Sequence, residues 1–200
     1  MLETLYLVSG RQAVVIVENI LSNETGSHHS AISAERKNAD NWSFNALTDR
    51  LMFGVMNPTP KSGVFDFFNK NFGIQEDHFT RLISPRACIA STAEVDTGCY
   101  IEPAVVLSPF SRLRFGVSIN RSSSIGHHAE IGAYATISPG AHVGGHTRIG
   151  RKTTIGIGAT VFDHVQIGDG SIIGGGSIVT KDIPSGVVAY GNPCRVVRAN

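Results

Sequence analysis

The sequence predicts a mainly β chain: a long parallel β-solenoid preceded by a small α/β unit. Three observations predict it. From Ile83 to Val179 every sixth residue is aliphatic without a break. Four places after these anchors stands a small side chain, as at Ala87, Ala93, Cys99, Ala129, Ala135 and Ala141. The first eighty residues lack this period and read instead as alternating apolar segments of strand and helix type.

In that first part, residues 5–8 (Leu-Tyr-Leu-Val) form a strand, and a Ser9-Gly10 turn leads to an expected helix over residues 13–21. Residues 22–46, rich in Ser, Asn and Ala, carry no pattern. Residues 51–57 make a second strand, stopped by Pro58 and Pro60. Residues 61–72 are apolar at helical spacing, with Phe65, Phe68 and Phe72 on one side. Strand and helix in alternation predict a small parallel α/β domain over residues 1–80.

The repeat follows. If about a quarter of residues are Leu, Ile or Val, the chance of seventeen consecutive aliphatic anchors is on the order of one in ten billion. A period of six suits neither a helix nor a plain alternating strand. It suits a short strand plus a corner: the aliphatic residue points inward and the small residue fills the narrowing interior. Glycine directly after the anchor, as at Gly126, Gly132 and Gly144, is expected to relieve the backbone at the bend. Strands of successive coils then pair in parallel about 4.8 Å apart. Each coil buries its apolar face only against its neighbours, so stability is collective. Cys99 falls on a small-residue position and reads as core.

Composition excludes several classes. With 17 Lys+Arg against 16 Asp+Glu, no strong field draws the chain to nucleic acid or an anionic membrane. The opening residues lack a signal peptide's basic region and apolar run. No stretch is apolar enough for membrane insertion. Cys88, Cys99 and Cys194 show no close pairing, which suggests reduced thiols and a cytoplasmic location.

The hexapeptide period resembles the left-handed parallel β-helix of the hexapeptide-repeat acyltransferases, over residues 83–195. That resemblance implies coils of eighteen residues, a homotrimer, and acetyl-CoA held in clefts between subunits. A small Rossmann-like α/β domain, then residues 82–87 (Leu-Ile-Ser-Pro-Arg-Ala), then the β-helix, is similar to the sialic acid O-acetyltransferases and bacterial amino-sugar N-acetyltransferases. Members of that group hold a nucleotide-linked sugar on a Gly-x-x-Gly-His turn after the first strand. Here the turn is Ser9-Gly10-Arg11, about two residues shorter, with Arg11 where the family has histidine. The resemblance makes Ser9, Gly10 and Arg11 the expected substrate-binding residues, with Arg11 as a phosphate contact.

Acyl transfer from a thioester needs a base for the attacking group and a donor for the developing oxyanion. Histidine is suited to the first role. Residues 125–132 (Ile-Gly-His-His-Ala-Glu-Ile-Gly) resemble the family's motif of histidine, acid, small residue, any residue, Ile-Gly. His127 falls on the catalytic histidine and His128 on the acid that orients it. His128 accepts a hydrogen bond without supplying charge; Glu130 or a neighbouring subunit's acid is one alternative, and His128 as the base is another. With eighteen residues per coil His127 stacks on Gly145, whose N–H the resemblance assigns to the thioester carbonyl. The family's acetyl-CoA contacts map to Thr136, Gly145, Ile157 and Gly175. The segment 189–197, with Gly191-Asn192-Pro193-Cys194, resembles the closing segment that helps enclose CoA.

The expectation is therefore an acetyl-CoA-dependent sugar acetyltransferase, acting on the amino group of a nucleotide-linked amino sugar, with no metal. Sugar O-acetylation is the alternative within the class. His128, His146 and His164 lie eighteen apart and so form a column, which raises two readings from other classes: a metal-dependent hydratase and a non-catalytic trimeric scaffold. Zinc needs converging ligands, and a column along one face is expected mostly to diverge.

Overall fold

The computed structural model describes residues 2–9, 12–21, 31–35, 50–54 and 57–200. The chain divides into two compact units, Met1–Thr80 and Arg81–Asn200.

In the first unit, β1 (Leu2–Ser9), β2 (Gln12–Leu21), β3 (Ala31–Glu35) and β4 (Arg50–Phe53) form one sheet in the order β3-β2-β1-β4. Every pairing between these four strands is antiparallel. The helix expected over residues 13–21 is thus strand β2, and among the described residues an antiparallel sheet stands in place of the expected parallel, Rossmann-like arrangement. The physical reason is in the residues. Val14-Val15-Ile16-Val17 is a β-branched run, stiff at χ1 and suited to a pleated sheet. Ser9 pairs with Gln12, and the Gly10-Arg11 pair between them has the Gly-x sequence of a two-residue hairpin connection. Gly10 and Arg11 themselves lie outside the described residues.

The helix expected over residues 61–72 is present as α1 (Pro58–Phe72), which starts on a proline, a residue well tolerated in the first helical turn. It buries Val64 and Phe68, whereas Phe72 is exposed. Phe79 returns beside β4, bridging Leu51 and stacking on Phe53 at 4.6 Å between ring centroids.

The second unit is a β-solenoid of seventeen two-residue strands, from β5 (Leu82–Ile83) to β21 (Ile178–Val179), each ending on one aliphatic anchor. Every third strand pairs in parallel at an interval of eighteen: Arg112 with Glu130, Ser118 with Thr136, Ser124 with His142. Three faces result, of six, six and five of these strands, and the two closing strands that follow, over residues 187–191 and 194–199, bring the face that starts at β5 to eight. Inside, Ile101, Leu107, Leu113, Ile119, Ile125, Ile131 and Ile137 are all about completely buried, each worth roughly 1.5–3 kcal/mol relative to exposure. The small positions are buried too, Cys99 among them. Where they are polar their hydroxyls are satisfied, as Ser123 Oγ donates to Ser138 O at 2.9 Å and Thr153 Oγ1 to Gly168 O at 2.9 Å.

The corners follow one rule. From Gly98 to Gly176, the third residue after each anchor has a positive φ; six of these fourteen are glycine and eight are not. In residues 126–129, Ala129 N–H donates to Gly126 O at 3.3 Å, closing a β-turn of type II pattern. The glycines directly after the anchors have a different reason from the one expected. A Cβ on Gly126 would lie 2.5 Å from Gly144 C and Gly145 N of the next coil. They serve close approach between coils, not the bend. The coils end on β22 (Val187–Gly191), parallel to the preceding coil, and β23 (Cys194–Ala199), which turns back antiparallel. Among the described residues no helix is long and apolar enough to cross a membrane, and all three cysteines are free.

Candidate active site at the solenoid corners

The turn over residues 126–129 joins β12 (Ser124–Ile125) to β13 (Glu130–Ile131) and so projects two adjacent histidines from the corner between the six- and five-stranded faces. His127 and His128 are both exposed. Their Nδ1 atoms are 3.2 Å apart, so with one proton between them each ring holds the other. The edge-on geometry, 88° between ring planes, leaves His127 Nε2 pointing away from this contact. His128 thus stands where the sequence placed an orienting group. Glu130, the alternative orienting acid, is instead engaged by Arg114, whose Nη2 and Nε lie 2.6 and 2.7 Å from Glu130 Oε1.

Gly145 lies one coil further, directly against the His127 ring. A Cβ on Gly145 would sit 2.9 Å from His127 Nε2 and 3.0 Å from its Cε1. Glycine is therefore what allows the imidazole to lie across the next coil. The Gly145 N–H donates to Asp163 Oδ1 at 2.7 Å. Asp163 is an exposed residue that the sequence reading did not single out. Its signal was available: residues 127, 145 and 163 are eighteen apart, hence one column.

The neighbouring column is a ladder of rings. Phe110, His128, His146 and His164 stack with centroids 4.9, 4.9 and 4.8 Å apart, and the last two pairs are nearly parallel at 11° and 5°. All four occupy the positive-φ corner position, where a bulky side chain costs roughly 1–2 kcal/mol of backbone strain. Histidine is enriched there relative to other bulky residues. Desolvation holds His146 below the usual histidine range, aided by His164, His128 and His127 and opposed by Asp163.

Ile157 and Gly175 repeat the His127–Gly145 arrangement elsewhere: a Cβ on Gly175 would lie 2.9 Å from Ile157 Cγ2. Their corner joins the eight- and six-stranded faces, between β17 (Thr154–Ile155) and β18 (Thr160–Val161) for Ile157. Thr136 lies on the eight-stranded face, nearly buried beside Ser118 and Thr154. The fold thus brings His127, His128 and Gly145 together, and Ile157 and Gly175 together, at two corners that flank one sheet. Ser9 ends β1, and Gly10 and Arg11 lie outside the described residues. An open cleft of about 710 Å³ on the five-stranded face, lined by Arg148, Gln166, Asp169 and Asp182, contains none of these residues.

The bacterial transferase hexapeptide model (six repeats) matches residues 146–181. No curated protein sequence matches at a significant level. Among solved structures, the chain is similar to the acetyltransferase domain of PglB from Neisseria gonorrhoeae. The two share 28% identity over 78% of this chain and 74% of that one, with a TM-score of 0.71. The same domain has been solved with acetyl coenzyme A. WeeI from Acinetobacter baumannii is 27% identical over 73% of this chain and 69% of its own, with a TM-score of 0.62. PerB from Caulobacter crescentus, solved with CoA and GDP-perosamine, shares the fold at 22% identity. That match covers 72% of this chain and 68% of PerB, with a TM-score of 0.66.

Proposed function

We propose that this chain, a hexapeptide-repeat acyltransferase, moves an acetyl group from acetyl-CoA to the amino group of a nucleotide-linked amino sugar. The observation that carries the reading is the His127 imidazole at the corner, with Nδ1 held by His128 and Nε2 lying over a side-chain-free Gly145. Similarity to the PglB domain, solved with acetyl coenzyme A, supports the donor. PerB, solved with CoA and GDP-perosamine, suggests the acceptor class.

In the reaction, His127 Nε2 takes a proton from the amine as its nitrogen attacks the thioester carbonyl. The new C–N bond forms, the C–S bond breaks, and the CoA thiolate leaves with the proton returned from His127. His128 keeps Nε2 in its basic tautomer by accepting a hydrogen bond from His127 Nδ1–H. No step needs a metal. The Gly145 N–H stabilises the oxyanion once the Asp163 carboxylate turns aside, a motion its exposed position permits. Ile157, Gly175 and Thr136 hold CoA, and the segment around Asn192 closes over it. Because the two corners flank one sheet of a single copy, the cleft is assembled between copies of a homotrimer, His127 from one facing Ile157 and Gly175 of the next. The first unit, with Ser9, Gly10 and Arg11, binds the acceptor. Transfer to a sugar hydroxyl uses the same groups and is the second reading.

Thiol release from acetyl-CoA, assayed across nucleotide-linked 4-amino sugars and free sialic acids, tests this. His127→Ala is expected to lower turnover by about 10²- to 10⁴-fold with CoA binding retained. Amine acceptors should be turned over faster as pH rises from 7 to 9, since an ammonium must lose its extra proton first. A variant as active as its parent removes His127 as the base.

A further inference from the structure

His127, His128 and His146 each offer a ring nitrogen, and these nitrogens all lie within 4.8 Å of one another. They come from two successive coils, and all three residues are exposed at the corner. His128 and His146 stack nearly parallel, with ring centroids 4.9 Å apart. His127 stands edge-on to both, at 88° and 87°, with a ring nitrogen within 4.8 Å of one on each of them. His164 continues the stack parallel to His146, adding length to the column and no convergence. The column alone diverges; the edge-on His127 is what turns two of its rings into a set.

We infer that these three imidazoles form a binding site for a zinc-class divalent cation, and that the cation reversibly inhibits the enzyme. Tetrahedral zinc with Zn–N bonds of about 2.0–2.1 Å has neighbouring nitrogens about 3.3 Å apart. The His127 and His128 Nδ1 atoms already stand at 3.2 Å. No ligand nitrogen of the set lies more than 4.8 Å from another, about 1.5 Å beyond the tetrahedral spacing, a gap within reach of exposed side chains. Three neutral nitrogen donors suit zinc, copper or nickel and not magnesium or calcium. Binding shifts the proton held between the two Nδ1 atoms to His127 Nε2, so both rings stay neutral and Nε2 no longer accepts a proton, and it leaves one tetrahedral position for water. The site takes the group assigned above as the base, so the inhibition, though not the binding, rests on that assignment.

Calorimetric titration of Zn²⁺ into the full, metal-free chain tests the inference, alongside His146→Asn and His164→Asn. Asparagine tolerates positive φ, so both variants should fold, which circular dichroism checks. One ion per chain is expected in the parent, at least about tenfold weaker binding in His146→Asn, and unchanged binding in His164→Asn. In the thiol-release assay Zn²⁺ should slow the parent, while His146→Asn, at parental basal turnover, should resist it. No binding, binding unaffected by His146→Asn, or equal loss in His164→Asn overturns the site. Binding as described without inhibition overturns the inhibitory role, and binding by a chain inactive on every acceptor leaves the site standing and counts against the acetyl-transfer reading.

Discussion

His127 can lie across the next coil only because residue 145 has no side chain. That contact is a geometric demand on one atom: a methyl at Gly145 would meet His127 Nε2 at 2.9 Å, tighter than a carbon and a ring nitrogen accept. Gly145→Ala should therefore push the ring aside while leaving the fold intact, since the φ of Gly145 is not positive. Misplacing a catalytic group by about 1 Å costs on the order of 10²-fold in rate, and we expect that loss in kcat with little change in melting temperature. Much of this site was legible from spacing alone. The interval of eighteen put His127 over Gly145, and the adjacent His128 at hand. What spacing did not disclose was side-chain direction. The hydrogen bond from Gly145 N–H to Asp163 and the engagement of Glu130 by Arg114 both depend on rotamers that the period does not encode.

At the scale of elements, the solenoid was legible because a strict period in side-chain direction admits few backbones. The first unit was not, because a short run such as Ala13-Val14-Val15-Ile16-Val17 fits a buried helix or a strand by hydropathy alone. Its β-branched composition decided for the strand, a cue weaker than the alternation assumed for the whole unit. The corners hold a similar lesson. Glycine marks only six of fourteen positive-φ positions, so nothing in its placement sets that corner position apart from the glycine that follows seven of the seventeen anchors and is there for space. Two substitutions separate these causes. Gly140→Ala, with positive φ and open space around it, should cost about 1–2 kcal/mol. Gly132→Ala places a methyl 2.6 Å from Arg151 N in the next coil, and overpacking against backbone should cost about 3 kcal/mol or more. Denaturant midpoints of the two variants give the comparison, and equal losses would mean that both glycines serve conformation.

For the whole molecule, the division of the proposed site between two corners has a consequence that mixing reveals. His127→Ala and an Ile157→Glu variant should each be inactive, since one lacks the base and the other places charge in the CoA cleft. Unfolded together and refolded as mixed assemblies, they should regain activity, because an interface can take its histidine from one copy and its CoA corner from the other. Random assembly would restore roughly a quarter of the interfaces, and no recovery would mean that one copy holds the entire site. The second unit's unbroken register carries a further implication, for how such a chain can change length. From β5 to β21 each coil repeats after eighteen residues, and inward and outward positions alternate within every strand. Losing a single residue inside a strand would rotate all later anchors out of the core. Losing eighteen would remove one layer and restore every neighbour beyond it. Length is thus free to vary in whole layers or in loops extruded at a corner, but between residues 127 and 145 neither is harmless if His127 is the base we propose, because the ring and the glycine beneath it must remain one layer apart.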